Sequence, residues 1–120
     1  MTLNRGNLGF TNVITNGATS SVYTVGSAQT AYVKSILIHN LSTTSIQNTQ
    51  VHFVPNVGGS AGTAGTLTQI ARIGISTNDT FFFEPAYPLT LTSTGDSIQI
   101  TNEGTATSSL NVVVLGDKEV

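Results

Sequence analysis

The sequence predicts an all-β fold: a single-domain antiparallel β-sandwich, jelly-roll-like, with an extended N-terminal arm. Three observations predict it. β-Branched residues dominate, no stretch carries convincing helical periodicity, and Gly, Asn and Asp interrupt the apolar runs at short intervals. The 120 residues fit one domain, and a chain of that size buries roughly two-thirds of its unfolded surface without help from metals or disulfides. Charged residues make up only 8% of the chain, against a usual share of about 25%, so Thr, Ser, Asn and Gln must cover the surface. An immunoglobulin-like sandwich is the alternative architecture; its Cys…Trp…Cys pattern is missing, although many such domains lack it.

Residues 1–20 read as the arm and residues 21–120 as the sandwich. The opening MTLNRGNLGF has no apolar run of the kind a secretory signal needs. Gly6 and Gly9 argue against a helix, and its apolar residues do not alternate cleanly as a strand. It presents Leu3, Leu8 and Phe10 as apolar anchors and Arg5 as one cation, an arm that either folds back on its own domain or docks on a neighbour. Ser21–Val25 is a short strand. Ala31–Asn40 is long and apolar on both faces, so it belongs in the centre of a sheet. Gln50–Pro55 follows, and then the glycine-rich segment Asn56–Gly65, which is too poor in apolar groups to pack and reads as a mobile tip. Its exposed positions are Gly58, Gly59, Gly62 and Gly65. Thr66–Ile75 reads as a strand whose facing pattern requires a bulge near Gly74. Thr80–Pro85, Leu89–Ser93, Ser97–Asn102 and Leu110–Gly116 complete about eight short strands, a jelly-roll number. Ile98 and Ile100 share a face opposite Gln99 and Thr101; Val112 and Val114 share a face opposite Val113 and Leu115.

The chemistry-bearing residues are sparse. Gly95 marks a turn that needs a positive φ, and Asp96 is placed to bond its own backbone, so this pair reads as structural. Phe81 and Phe83 face one way and Phe82 the other. Phe82, with Tyr87 and the nearby prolines, forms a candidate apolar interface patch, while Pro85 and Pro88 limit edge pairing. His39 and His52 come together only if residues 31–54 form a hairpin, and a zinc site would still lack a third ligand. No metal, cofactor or catalytic residue is predicted: there is no cysteine, no carboxylate pair in a glycosidase context and no nucleophile elbow. Arg5, Lys34, Arg72 and Lys118 are the only Lys and Arg residues. They form no patch, which leaves nucleic-acid binding without a footprint, and no run approaches a membrane span.

The segments AYVKSILIHNLSTTSIQNTQVHFVPN and FFFEPAYPLTLTSTGDSIQITNEGTATSSLNVVVLGDKEV resemble small β-sandwich virion proteins of tailed bacteriophages, marine and cyanobacterial phages above all. The resemblance spans about residues 30–120, the size of one domain. It implies a non-enzymatic structural protein: a capsid decoration (cement) protein on the exterior of the phage head, bridging capsid subunits. Its partners would be the major capsid protein and other copies of itself, as a trimer by analogy with jelly-roll assemblies. The alternative is a tail-fibre or receptor-binding module. On the decoration reading the arm is the docking device, with Arg5 pairing an acidic capsid group, and removal of residues 1–12 is expected to leave the domain folded.

Overall fold

The computed structural model describes residues 2–15, 17–104 and 109–120. They form two antiparallel sheets packed face to face. Strand β1 is Leu3–Thr15, β2 Thr19–Thr24, β3 Thr30–Asn40, β4 Gln47–Val54, β5 Gln69–Ile75, β6 Thr80–Phe83, β7 Leu89–Leu91, β8 Ser97–Asn102 and β9 Ser109–Glu119, with one short 3₁₀ turn at Thr66–Thr68 before β5. The first sheet has the order β1-β9-β3-β6, with β7 also on β3; the second has the order β2-β8-β4-β5. The pairing is nested. β1 pairs with β9, β2 with β8, β3 with β6 and β7, and β4 with β5. A long hairpin rolled up in this way is a jelly roll, and the immunoglobulin-like alternative is set aside.

The core lies between the sheets. Ala31, Val33, Ile36 and Ile38 of β3 and Leu110, Val112 and Val114 of β9 line one wall, and Val51, Ile98 and Ile100 line the other; all are fully buried. The alternation read along SIQITN and NVVVLG is the one the sandwich uses, because each strand turns one face to the core. β3 is central, with β9 on one side and β6 and β7 on the other. β6 and β7 are two halves of one edge position, separated by Glu84–Pro88. Pro85 and Pro88 have no N–H to donate to a ladder, so the edge strand breaks there.

Several expectations are corrected. Of the supposed arm, Leu3–Thr15 is an edge strand hydrogen-bonded along β9, and Thr19 and Ser20 already belong to β2; Met1 and Asn16 lie outside the described residues. The boundary between arm and sandwich therefore dissolves. Alternation is hidden there because the register shifts between Asn7 and Gly9, leaving Leu8 as an extra residue turned toward the core. Thr66–Thr68 is a 3₁₀ turn rather than the start of a strand. The bulge in β5 sits at Ile70, which the ladder to β4 skips, and not near Gly74. Gly9 is required by a close approach: a Cβ there would lie 2.3 Å from the Val22 carbonyl oxygen of the facing sheet.

Two consequences are testable. Deletion of residues 1–12 removes the β1 partners of Val112–Glu119, most of β9, together with the half-buried Leu8. Each lost ladder bond contributes about 1 kcal/mol, so urea denaturation should show a domain destabilised by several kcal/mol or unfolded, rather than an intact one. Gly9→Ala should cost about 1–3 kcal/mol through overpacking against a backbone atom that cannot move alone, read from the same denaturation midpoint.

Candidate interaction surface

Apart from Leu8 and Tyr87, the interface and loop residues singled out in the sequence fall on the outer face of the first sheet and on one loop end of the sandwich. Cross-strand partners share a face, so the register fixes who stands beside whom. Phe10 pairs with Val113, Val113 with Leu37, and Leu37 with Phe82. These four apolar residues form one row across β1, β9, β3 and β6, on the face opposite the buried Val112, Val114, Ile36 and Ile38. With strands about 4.8 Å apart the row is roughly 14 Å long. Its ends are open: Phe10 is 55% and Phe82 56% exposed, while Leu37 and Val113 are half-buried between them. Phe81 and Phe83 face inward and pack against the core. Leu115, one step along the outer face of β9, widens the row.

Leu3 and Arg5 also point to this outer face and are exposed, whereas Leu8 turns inward. Arg5 stands directly opposite Asp117, which pairs with Tyr32 on its other side. Lys34 Nζ reaches Asp117 Oδ2 at 2.7 Å, and Tyr32 donates to Glu119 Oε1 at 3.0 Å. The face is thus divided into an uncharged half around the Phe10–Phe82 row and a charged half around Asp117. Tyr87, in the β6–β7 connection, is 84% exposed, but the register does not place it in the row.

The glycine-rich segment is tied down at its root. Asp96 Oδ1 accepts from the Asn56 N–H at 2.9 Å and from Asn56 Nδ2 at 3.0 Å, and its Oδ2 accepts from the Ser93 N–H at 3.2 Å. Gly95 has φ +93°, as the turn requires, and a Cβ there would lie 2.7 Å from the Gly59 carbonyl carbon. Gly58, Gly59 and Gly65 are exposed. Gly62 is not part of a mobile tip: it is half-buried, and its carbonyl accepts from Gln99 Nε2 at 2.8 Å. Val57 and Ser60 bridge each other within the loop. Burial pushes the Asp96 carboxyl up, but the bonds from Asn56 and from the Ser93 and Thr92 backbone outweigh it and hold the group below the usual aspartate value.

The histidines do not meet. His39 is in the first sheet, with Nδ1 2.8 Å from Thr80 Oγ1. His52 is in the second, with Nδ1 2.9 Å from Thr68 Oγ1 and Nε2 2.8 Å from Gln50 Oε1. Burial lowers the His52 value, opposed by a bond with the Gly65 backbone, and the contact with Thr68 clips the 3₁₀ turn onto β4. Among the described residues no group of three or more His, Asp or Glu is placed to hold a metal ion.

Sequence reasoning missed Leu37 and Val113 as members of the surface. Both lie in strands apolar on both faces, where alternation divides the residues into two sets without saying which set faces outward. It also missed the exposed Ile46, Leu67 and Ile70 near β5.

No protein-family model matches this sequence, and no curated protein does. A solved structure described as "Bacillus endospore appendages form a novel family of disulfide-linked pili" is similar at 16% identity and a TM-score of 0.49, over 99% of this chain and 88% of that one. At that score the likeness supports no inference about function or partners.

Asp96 offers a direct test of the loop anchor. Asp96→Ala should destabilise the domain by about 2–3 kcal/mol, the scale of hydrogen bonds to a charged group, and increase amide exchange at Asn56–Gly59. Because the folded carboxyl titrates below its unfolded value, its contribution is complete above the ordinary aspartate range and is lost as pH falls through the depressed folded value. The wild-type protein should therefore lose stability on acidification more steeply than the variant, measured as denaturation midpoint against pH.

Proposed function

We propose that this chain is a non-enzymatic structural protein that works by seating the outer face of its first sheet on a larger protein assembly. In its finer form the proposal is a decoration protein on the exterior of a tailed-phage head, bridging neighbouring capsid subunits. The observation that carries the reading is the Phe10–Val113–Leu37–Phe82 row. A sheet face exposed to water is ordinarily polar, and a contiguous apolar band with an open phenylalanine at each end is the signature of a surface meant to be covered. Covering the exposed half of one such ring is worth about 1 kcal/mol. Across many copies on a shell, contacts of that size add up to a clamp. The virion-protein resemblance of residues 30–120 supports the finer form. The docking device shifts from a loose arm to the sheet face that β1 completes.

The test uses phage particles lacking the protein, to which purified chain is added back. Wild type should bind and slow heat-induced release of DNA. Phe10→Asp and Phe82→Asp lie on the outer face, should fold normally, and should each lower occupancy at least tenfold, since a carboxylate would have to be desolvated in the seam. Full occupancy by the double variant would overturn the reading.

A tail-fibre or receptor-binding role remains the second reading, favoured by the loop end, where Val57 is 71% and Leu67 fully exposed. Particles lacking the protein separate the two: fragile heads support decoration, and sound heads that fail to adsorb support receptor binding.

A further inference from the structure

Two polar atoms without partners fall together at one end of the core. Gln47 and Thr49 of β4 are both fully buried, and neither Gln47 Oε1 nor Thr49 Oγ1 has a hydrogen-bond partner among the described residues. The two residues are one step of alternation apart, so they share the core-facing side of β4 with Val51. The Gln47 amide makes one long contact, from Nε2 to the Ser45 carbonyl at 3.5 Å, and that carbonyl already accepts from Asn40 Nδ2 at 3.0 Å. Turning the Gln47 amide over does not help, because the terminal atom left over is then a donor without an acceptor. Tyr23 Oη is also unpartnered, but Tyr23 stands opposite Ile98, toward the other end of β8.

A hydroxyl or amide oxygen that has given up water without a replacement destabilises the fold. The strand beside Thr49 adds a third group to the same place. Thr49 stands opposite Asn102 of β8, which is also fully buried. Asn102 Nδ2 donates to the Ile14 carbonyl at 2.9 Å, which occupies one of its two N–H groups. Cross-strand partners hold their Cβ atoms about 5 Å apart, so the second N–H is close enough to serve a group that also meets Thr49.

We infer that this end of the core binds one internal water molecule, held between Gln47 Oε1 and Thr49 Oγ1. The water donates to Gln47 Oε1 and accepts from the Thr49 hydroxyl, and its other lone pair is open to the second Asn102 N–H. An internal water makes about two to four such bonds. Residues that share a strand face are about 6.7 Å apart, a gap that the glutamine side chain and two bonds of about 2.8 Å can span. A hard cation fits poorly, because it takes about six oxygens or more and these two are neutral. The bridge joins β4 to the end of the core where Asn40 and Asn102 are buried, and it stands apart from the docking face.

The test combines a high-resolution crystal structure of the full chain with a urea denaturation cycle. Density for one water is expected at hydrogen-bond distance from both Gln47 Oε1 and Thr49 Oγ1. Thr49→Val keeps the shape of the side chain and removes the hydroxyl. It should lower the denaturation midpoint, because the bound water loses a partner; with no water there, it removes an orphaned hydroxyl and raises the midpoint. Gln47→Met should lower the midpoint as well. The double variant has no water to strand, so it should be no less stable than the weaker single variant, well short of the sum of the two losses. Thr49→Ser keeps the hydroxyl and should keep the density. A raised midpoint in Thr49→Val, additive losses, a direct Gln47–Thr49 bond, or density that fails to meet both atoms overturns the inference. If a variant fails to fold, the wild-type density decides.

Discussion

The rest of the structure depends on strand β9 having a neighbour on each side. Its backbone pairs with β1 along one edge and β3 along the other, and its inward residues Leu110, Val112 and Val114 are wholly buried. Gly116 shows how tightly the three strands meet. A Cβ there would fall 2.0 Å from the Tyr32 carbonyl oxygen, beside the bulge at Lys34, where the β3–β9 register shifts. Since β1 is the first strand in chain order and β9 the last, this part of the sheet forms only when strands far apart in sequence come together. Nesting makes nearly every stabilising contact long-range, and loop-closure entropy must be met before those contacts reward it.

A second constraint operates at the end of the sandwich where loops cross the core. Asn40 and Asn102 are fully buried there. Asn40 Nδ2 donates to the Ser45, Ile75 and Ser76 carbonyls at 3.0, 3.0 and 3.1 Å, and its Oδ1 accepts from Ser42 N–H at 2.8 Å. Asn102 Nδ2 donates to the Ile14 carbonyl at 2.9 Å, and its Oδ1 accepts from Gly104 N–H at 2.8 Å. Each amide supplies the partners that loop backbone loses on leaving the ladders, which is how a buried polar side chain earns its place. The chain thus closes its apolar middle with valine and isoleucine and one of its ends with asparagine.

Much of this fold was legible along the sequence, and the illegible parts have physical reasons. SIQITN was readable because the apolar Ile98 and Ile100 alternate with the polar Gln99 and Thr101, so period two is undiluted in the sequence although both faces are covered; in NVVVLG alternation divided the residues into two sets without saying which set faces the core. TFFFEP was readable because proline marks where a ladder stops. β1 was not, because Gly6, Gly9 and the bulge at Leu8 break the alternation, and bulges are set by the partner strand. The tip was misread because its anchor, Asp96, lies 40 residues from Asn56; composition sees the glycines and not the carboxylate. The apolar row was half legible. Phe10 and Phe82 stood out as aromatic residues in polar company, but their alignment through Val113 and Leu37 exists only once strand order is known.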